Sequence, residues 1–424
     1  KLLTEDRSGG QANSETIANP YRLGWKTNRY ELWGKTGYVF PKAKYKSIGF
    51  QGSAVYHDQT SNYGLRTYDA NQQSGYFNSI YQSIFGTSTH KYRTGLSVQY
   101  DQFDETLDSL TFKRTEIVPG AFFEYTFSYF EKFAVVAGMR ADYHNYYGLF
   151  FTPRLHLRYE IREGSVFRAS GGRGQRTANV IAENVSLLAS SRSWNINGNA
   201  AIPGFGLQPE IAWNYGLNFT QNFRLDYRPG AFSVDVYRTD FQNQTVIDME
   251  DPRKVEVYNL AGKSFASSMQ AQVDYELRRR FDVRLAYRFY DVRTNYGGQL
   301  KDRPYISKHR AFVNLAYETV SSWKFDYTVQ WQGQKRIPST ASNPAVYQRS
   351  TRSPDLFLMN AQISKSWKER YDVYVGMENI SNVRQNNPIV ASDAPFSPYF
   401  DSSMVWGPIF GRMTYIGFRL KSKS

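Results

Sequence analysis

Five histidines are the residues of this sequence with the widest chemical range: His57, His90, His144, His156 and His309. None lies at a zinc-ligand spacing from another histidine, and the chain has no cysteine to complete a metal site or act as a thiol nucleophile. The one local pairing that could activate a nucleophile is Ser307 with His309, at the start of a predicted strand. These patterns predict no metal centre, no bound cofactor and no catalytic activity.

The glycine-rich segment Gly171-Gly172-Arg173-Gly174 could be taken for a phosphate-binding loop. It lacks the Gly-Lys-Ser/Thr ending and the following helix that such a loop needs. Glycine also serves where a strand bends or where another part of a protein approaches the backbone closely. We therefore interpret these glycines as a bend or a close contact in a strand.

Non-covalent ligand binding is the chemistry that the long segments between strands favour, at about 174–208, 242–263, 292–308, 333–354 and 380–409. Guanidinium groups and aromatic rings together suit a bulky anionic chelate, through charge-assisted hydrogen bonds and stacking. The alternative is that these rings pack on each other or anchor at a lipid–water interface. The candidate ligand-binding residues are Arg176, Arg192, Trp194, Tyr296, Arg303, Tyr305, Tyr399 and Trp406.

The elements that must position these segments alternate apolar and polar residues with a period of two, which is typical of β-strands. The ranges 211–220, 269–278, 281–289 and 323–331 show the pattern over about ten residues, the length of a tilted membrane-spanning strand. A soluble sandwich also alternates, but here the polar face is strongly charged and the apolar face ends in aromatic residues. We expect Trp213, Val273, Leu285 and Phe325 to face lipid, and Gln272, Arg284 and Asp326 to face a lumen.

The composition agrees with a membrane barrel. Aromatic residues make up 17% of the 424 residues while the mean hydropathy is −0.58. The longest apolar run, 133–139, is far shorter than the roughly 20 residues of a spanning helix. A chain that crosses a membrane without such helices must cross it as a closed sheet, because lipid offers no partners for backbone polar groups.

The connections between strands predict how the sheet is oriented. Tight turns alternate with the long segments given above, as in outer-membrane barrels, which have short periplasmic turns and long outer loops. The tight turns are 130–132, 162–165, 278–280, 320–322 and 368–370. We count about 17 strands, starting near residues 21, 44, 74, 91, 115, 132, 153, 165, 210, 231, 264, 281, 309, 322, 355, 371 and 410.

The strand count has a consequence for closure. Bacterial single-chain barrels have an even number of strands, so 17 predicts that an odd number precedes this chain. With five more strands the total is 22, and strand six then runs toward the periplasm as the loop pattern requires. We therefore expect the whole of 1–424 to be a partial barrel domain, strands 6 to 22, that does not close by itself.

The net charge of +14 restricts the partners. Lysine and arginine are spread along the whole chain and not clustered in one patch, which argues against nucleic acid. Attraction to lipopolysaccharide phosphates or to an anionic substrate in a lumen explains the charge better; the alternative is that most of the charges are simply solvated loop and lumen residues.

Several short stretches of the sequence are similar to motifs of one family of barrels. They are Thr152-Pro153-Arg154-Leu155, the glycine-rich range 168–179, Leu207-Gln208-Pro209-Glu210, Tyr258-Asn259-Leu260, Gly376-Met377-Glu378-Asn379 and the range 411–418. In this order they resemble the C-terminal barrel of TonB-dependent outer-membrane receptors, in the branch of colicin, siderophore and cobalamin receptors. The residues of these motifs are similar to those of family members from Bacteroidota, although Gln175 stands where an aromatic residue is usual.

The resemblance implies a function and partners. Such receptors have a plug domain and a TonB box before the barrel, and neither is found here; the chain also begins without the basic region and apolar core of a signal peptide. The resemblance implies import of a scarce nutrient across the outer membrane of a Gram-negative bacterium. The partners would be the TonB–ExbB–ExbD complex (through the missing plug region), lipopolysaccharide, outer-membrane lipid and a surface lipoprotein. The charge favours a ferric siderophore or similar metal chelate over a cobalamin-like substrate; the alternative function is a passive porin-like or structural barrel, as a subunit of a surface complex.

Overall fold

The structure, a computed structural model, describes residues 2–9, 21–368 and 370–421. In chain order its strands are β1 (Leu2–Gly9), β2 (Leu23–Val39), β3 (Ser47–Tyr63), β4 (Arg66–Ile84), β5 (His90–Leu107), β6 (Leu110–Tyr129), β7 (Phe133–His144), β8 (Gly148–Phe151), β9 (Arg154–Arg162), β10 (Ser165–Arg176), β11 (Ser193–Ile196), β12 (Glu210–Leu225), β13 (Arg228–Asn243), β14 (Thr245–Asp248), β15 (Lys254–Asn259), β16 (Ser264–Arg278), β17 (Phe281–Tyr296), β18 (Gln299–Asp302), β19 (His309–Glu318), β20 (Trp323–Gln332), β21 (Leu356–Trp367), β22 (Tyr371–Glu378) and β23 (Met413–Leu420). Two short 3-10 helices, Ala182–Leu188 and Ala345–Tyr347, lie between strands. The described residues include no helix with the length and apolar character needed to span a membrane.

One antiparallel sheet of 20 strands forms the wall of the molecule, and each strand pairs with its neighbours along the chain. Eighteen strands follow one another, while β8 and β18 extend the hairpins of β7 and β17. A second sheet of three strands, in the order β11-β15-β14, lies within two of the long connections. No pairing between β1 and β23 is found in the described ranges, so the predicted antiparallel, unclosed wall is confirmed.

The strand prediction is confirmed in number and corrected in length. Each of the 17 predicted strands has a counterpart, and β1 is a further one that pairs with β2 over eight residues. The strands β2 to β6 are much longer than the predicted ten residues, from 17 residues in β2 to 20 in β6. The predicted alternation of short turns and long loops fails there, because β3 and β4, like β5 and β6, are joined by two residues at the outer end.

The two faces of the sheet separate as predicted. Arg284 lies opposite Asp274 on one neighbouring strand and opposite Asn314 on the other, while the adjacent Leu285 lies opposite Val273 and Val313. The same polar face includes Gln272 and Asp326, and the same apolar face includes Trp213 and Phe325. The polar face is the interior one, because residues 178–207 of the chain pack against it.

The apolar outer face ends at a level marked by tyrosines. On β2, β3 and β5 this level is set by Tyr30, Tyr56 and Tyr100, whose rings are exposed. Beyond them the outward residues become polar, as at Lys26, Asp58, Gln102 and Asp104. The first-half hairpins therefore project beyond the apolar band, whereas β19 to β23, with 8 to 12 residues, do not.

The main hydrophobic core lies at this outer end and not within the band. It forms where the long connections 177–209 and 244–263 fold onto the interior face of the projecting hairpins. Buried side chains from the hairpins are Tyr63, Tyr68 and Leu107, and those from the connections include Val180, Ile181, Leu188, Phe205, Val255 and Val257. Burying apolar surface is the dominant favourable contribution to folding, so these connections form an ordered cap and not loose loops.

Candidate ligand-binding site

The outer cap consists of the five long connections 177–209, 244–263, 297–308, 333–355 and 379–412. Its central tie is Arg192, of which 1% is exposed. The guanidinium donates to Asp401 Oδ2 at 2.8 Å and to the carbonyl oxygens of Met249, Asp251 and Lys254 at 2.6–3.2 Å. One buried side chain thus joins three of the five connections.

A second charged cluster joins the remaining connections. Glu250 accepts from Lys301 Nζ at 3.0 Å and from Arg336 Nη1 at 2.8 Å. Burial opposes ionisation of Glu250, but hydrogen bonds from Lys301 and Arg336 outweigh it and lower the pKa of the carboxyl. Lys335 Nζ in turn donates to the carbonyl oxygen of Trp406 at 2.6 Å, so all five connections are linked.

The family-like stretches meet where the cap joins the wall. Asn259 receives a hydrogen bond on Oδ1 from the Gln208 N–H at 2.9 Å and donates from Nδ2 to the Gln208 carbonyl at 3.0 Å. Glu210 binds Arg176 at 2.6 Å, and Arg176 also forms two 2.8 Å hydrogen bonds with Glu183. These polar residues anchor the bases of the connections to the strand ends.

The structure places the predicted ligand-binding residues in different environments. Arg176 lies on the interior face and is held by two carboxylates, Arg192 is the buried tie, and Arg303 is exposed. Trp194 is 9% exposed and belongs to the main core. The other predicted aromatic residues lie in or directly below the cap: Tyr305, Tyr399 and Trp406 belong to its connections, and the buried Tyr296 is the last residue of β17.

Those cap aromatics are partly brought together. Tyr305 and Trp406 pack against one small apolar cluster of Ile337, Val390 and Met404, to which Tyr347 also belongs. The Tyr399 ring lies 5.7 Å from that of Tyr347, and the Tyr296 ring lies 5.6 Å from the Arg336 guanidinium. Burial, together with the nearby charge of Asp401, raises the pKa of Tyr305, so this phenol stays neutral. The packing alternative therefore describes much of this aromatic set.

An acidic cavity that the sequence reasoning did not identify lies on the interior face below the cap. Its volume is about 540 Å³, and its lining includes Asp101, Glu116, Asp142 and His144, all at least nine-tenths buried. Asp101 lies directly opposite Glu116 across two strands, although like charges in such pairs repel. Arg114 is shared between Glu116 at 2.9 Å and Glu105 at 3.1 Å. Alternating charges on the predicted interior face were the signal that could have indicated this region.

The family model described as TonB dependent receptor-like, beta-barrel, matches residues 3–380 of this sequence. The chain belongs to this family. The family consists of transporters and not enzymes, and its members lie in the outer membrane of Gram-negative bacteria. Among the curated proteins compared with the sequence, none matches it.

Solved structures of TonB-dependent receptors share the fold. FpvA of P. aeruginosa bound to heterologous pyoverdines is 12% identical, with a TM-score of 0.66 over 98% of this chain and 60% of that one. The ferric-catecholate import receptor Fiu of E. coli K12 is 11% identical, with a TM-score of 0.65 over 96% and 65% of the two chains. The copper transporter OprC is 12% identical, with a TM-score of 0.68 over 99% and 68%. This chain thus spans about 60% of the FpvA chain, and at these identities the likeness concerns the fold.

Ser307 and His309, the local pairing of a hydroxyl with an imidazole singled out in the sequence, bond to other groups in the structure. Ser307 Oγ donates to the backbone carbonyl of His309 at 2.7 Å, while His309 Nδ1 contacts the Tyr287 hydroxyl, also at 2.7 Å. The hydroxyl and the imidazole therefore do not form a catalytic pair. Within the described ranges, no group of three or more histidine and carboxylate residues is arranged to hold a metal ion.

Proposed function

We propose that this chain is the barrel wall of an energised outer-membrane receptor that imports a scarce nutrient, a bulky metal chelate such as a ferric siderophore. The observation that carries the proposal is the ordered cap, whose buried core and charged ties cover the interior face at the outer end. A mouth held by a buried core must change its structure before a bulky substrate can pass. Such a change requires a source of energy or a substrate that binds more strongly to the open state.

The family and its solved members support the choice of substrate class. FpvA is described with pyoverdine, Fiu as a ferric-catecholate importer, and OprC as a copper transporter. The proposed energy source is the TonB–ExbB–ExbD complex, acting through a plug region outside this chain. Lipopolysaccharide and a surface lipoprotein remain predicted partners, the first because of the basic net charge.

Growth under iron limitation tests the proposal. A deletion strain and its parent are supplied with single iron sources, each a different ferric chelate, and uptake of labelled iron is measured. We expect the deletion strain to lose uptake of at least one chelate, and the full-length receptor to restore it only when TonB is active. Normal uptake of every chelate by the deletion strain would contradict the siderophore proposal.

The passive-barrel alternative predicts a different result when the conductance of the protein is measured. A porin-like protein with an open lumen would give large, steady conductance after reconstitution in planar bilayers. We expect the full-length protein to conduct little, because the cap and its ties close the mouth. Steady conductance without TonB, combined with uptake that does not depend on TonB, would favour the passive barrel.

A further inference from the structure

A row of four polar side chains crosses the interior face just below the cap. Gln270 lies opposite Arg288, Arg288 lies opposite Arg310, and Arg310 lies opposite Gln332, on four consecutive strands of the wall. Together with Gln330 and Phe312 these residues line a cavity of about 240 Å³. The row lies where β19 begins and β20 ends, immediately beneath the connections 297–308 and 333–355.

The two arginines of this row have no counter-charge among the residues that the structure describes. Neither Arg288 nor Arg310 forms an ion pair with any carboxylate in the described ranges, and Arg310 Nε is buried without a hydrogen-bond partner there. Four residues lower on the same strand and face, Arg284 is paired with Asp274 in the usual way. Like charges directly opposite each other in a sheet are destabilising, so a bound anion would stabilise this pair.

An aromatic ring and a third basic residue lie beside the pair. The Tyr290 ring lies 4.8 Å from the Arg288 guanidinium and 5.8 Å from that of Arg310, which holds both groups beside one aromatic face. Lys335 follows at the outer side, where burial and the charge of Arg310 lower the pKa of its amine. The glutamines at both ends of the row can donate further hydrogen bonds to oxygen atoms.

We propose that Arg288 and Arg310 form an oxyanion-binding site that holds a carboxylate, phosphate or catecholate group of the transported chelate below the cap. Two guanidinium forks side by side match the geometry of such groups, since each fork can bind two oxygen atoms. The inference deepens the proposed function, on which it rests, by assigning the substrate class to a specific part of the wall. The Arg176 and Arg192 side chains are engaged by carboxylates of the protein, whereas Arg288 and Arg310 have no carboxylate partner among the described residues.

Direct binding to the purified full-length receptor tests the site, with inorganic pyrophosphate as the probe in isothermal titration calorimetry. The variants are Arg288→Gln/Arg310→Gln, Arg288→Lys/Arg310→Lys, and Arg284→Gln as the matched control from the same strand and face. We expect the glutamine double variant to bind at least about tenfold more weakly than wild type, because charge-assisted hydrogen bonds are lost. The lysine double variant should bind with an affinity between those of wild type and the glutamine variant, because it keeps the charges and loses the forked guanidinium groups. The affinity of the Arg284→Gln control should stay within about twofold of wild type.

Two results would overturn the proposal: no saturable binding to the wild-type receptor, or equal binding to wild type and the glutamine double variant. A carboxylate from another part of the full-length protein that occupies the pair would give the first result. Uptake of ferric citrate and of cationic ferrioxamine in the complemented deletion strain separates this outcome from failure of the proposed function. If wild type imports neither chelate the transport proposal is in question, while the binding measurement still decides the site.

Discussion

At the scale of single residues, the roles of the arginines depend on contacts that are distant in sequence. The sequence makes Arg192 a ligand-binding candidate because it is a guanidinium in a long segment that also carries aromatic residues. Its partner Asp401 is 209 residues away, and its other partners lie in a third connection. Sequence reasoning could identify the residue type and the segment, but local pattern carries no information about which distant segment folds back onto it.

Removing the central tie should loosen the cap. In Arg192→Ala, a buried carboxylate and three carbonyl oxygens lose their donor, and breaking a buried pair in this way costs roughly 3–5 kcal/mol. We expect faster hydrogen exchange and proteolysis in the connections 177–209, 244–263 and 379–412, measured by mass spectrometry. Arg253→Ala, at an exposed position of the same region, is the control and should change neither. Unchanged exchange in Arg192→Ala would show that the apolar core alone holds the cap.

Glu250 gives the cap a dependence on pH. Its pKa is lower in the folded state, so it stabilises the cap above the ordinary pKa of a glutamate, and this contribution is lost as the pH falls through the folded value. We therefore expect cap exchange to increase at pH values below about 4, the usual range of a glutamate. In Glu250→Gln the exchange should already be raised at neutral pH and should depend less on acid. An identical acid response in both proteins would exclude Glu250 as the cause.

At the scale of elements, the period-two alternation was sufficient to find the strands and their faces. It succeeded because one face meets lipid and the other meets polar groups, so every residue of the wall carries the signal. It failed in the projecting parts of β2 to β6, where the pattern of an apolar outer face and a polar inner face is lost: the outward residues are polar, and inner residues such as Tyr63, Tyr68 and Leu107 belong to the main core. The same loss explains why β4 was predicted to start near residue 74 and starts at Arg66.

The assignment of the faces can be tested with two adjacent residues of β16. Val273 faces outward, and Gln272 faces the interior beside Asp274, to which it donates a hydrogen bond of 2.7 Å. We expect Val273→Arg to destabilise the folded barrel by about 2–4 kcal/mol, the range for a cation on the lipid face near the middle of a bilayer. Gln272→Arg can pair with Asp274 and should cost less than about 1 kcal/mol. The measurement is unfolding by denaturant of the full-length protein in lipid vesicles, and equal costs would contradict the assignment.

At the scale of the whole molecule, the wall and the cap play different parts in the proposed transport. The wall is held by continuous backbone pairing, while the cap is held by a core and a few charged ties at one end. If import requires the cap to open, a covalent link between two of its connections should prevent import. The chain has no cysteine, so a single engineered disulfide can be made without competing pairings.

A suitable pair is Ala189→Cys with Ser402→Cys. The Ser402 N–H donates to the Ala189 carbonyl at 3.1 Å, next to the antiparallel bridge between Ser190 and Asp401. Neighbouring residues of such a bridge have the short Cα separation that a disulfide requires. We expect chelate uptake to fall at least about tenfold when the cells are oxidised and the disulfide forms. A reductant should restore the uptake. Full uptake with the disulfide formed would mean that these two connections do not separate during transport. Each single-cysteine variant serves as a control.

The pairing pattern of the wall also sets the order in which the molecule assembles. Every wall strand pairs with strands that are its neighbours along the chain, so each pairing closes a loop no longer than the connection 379–412. The cap depends on contacts such as Arg66 with Ser190 and Ala189 with Ser402, which are 124 and 213 residues apart. Closing such long loops costs more conformational entropy, and proteins with distant contacts fold more slowly. The wall should therefore form hairpin by hairpin, and the mouth of the receptor should be completed last, after the strands that support it are already in the membrane.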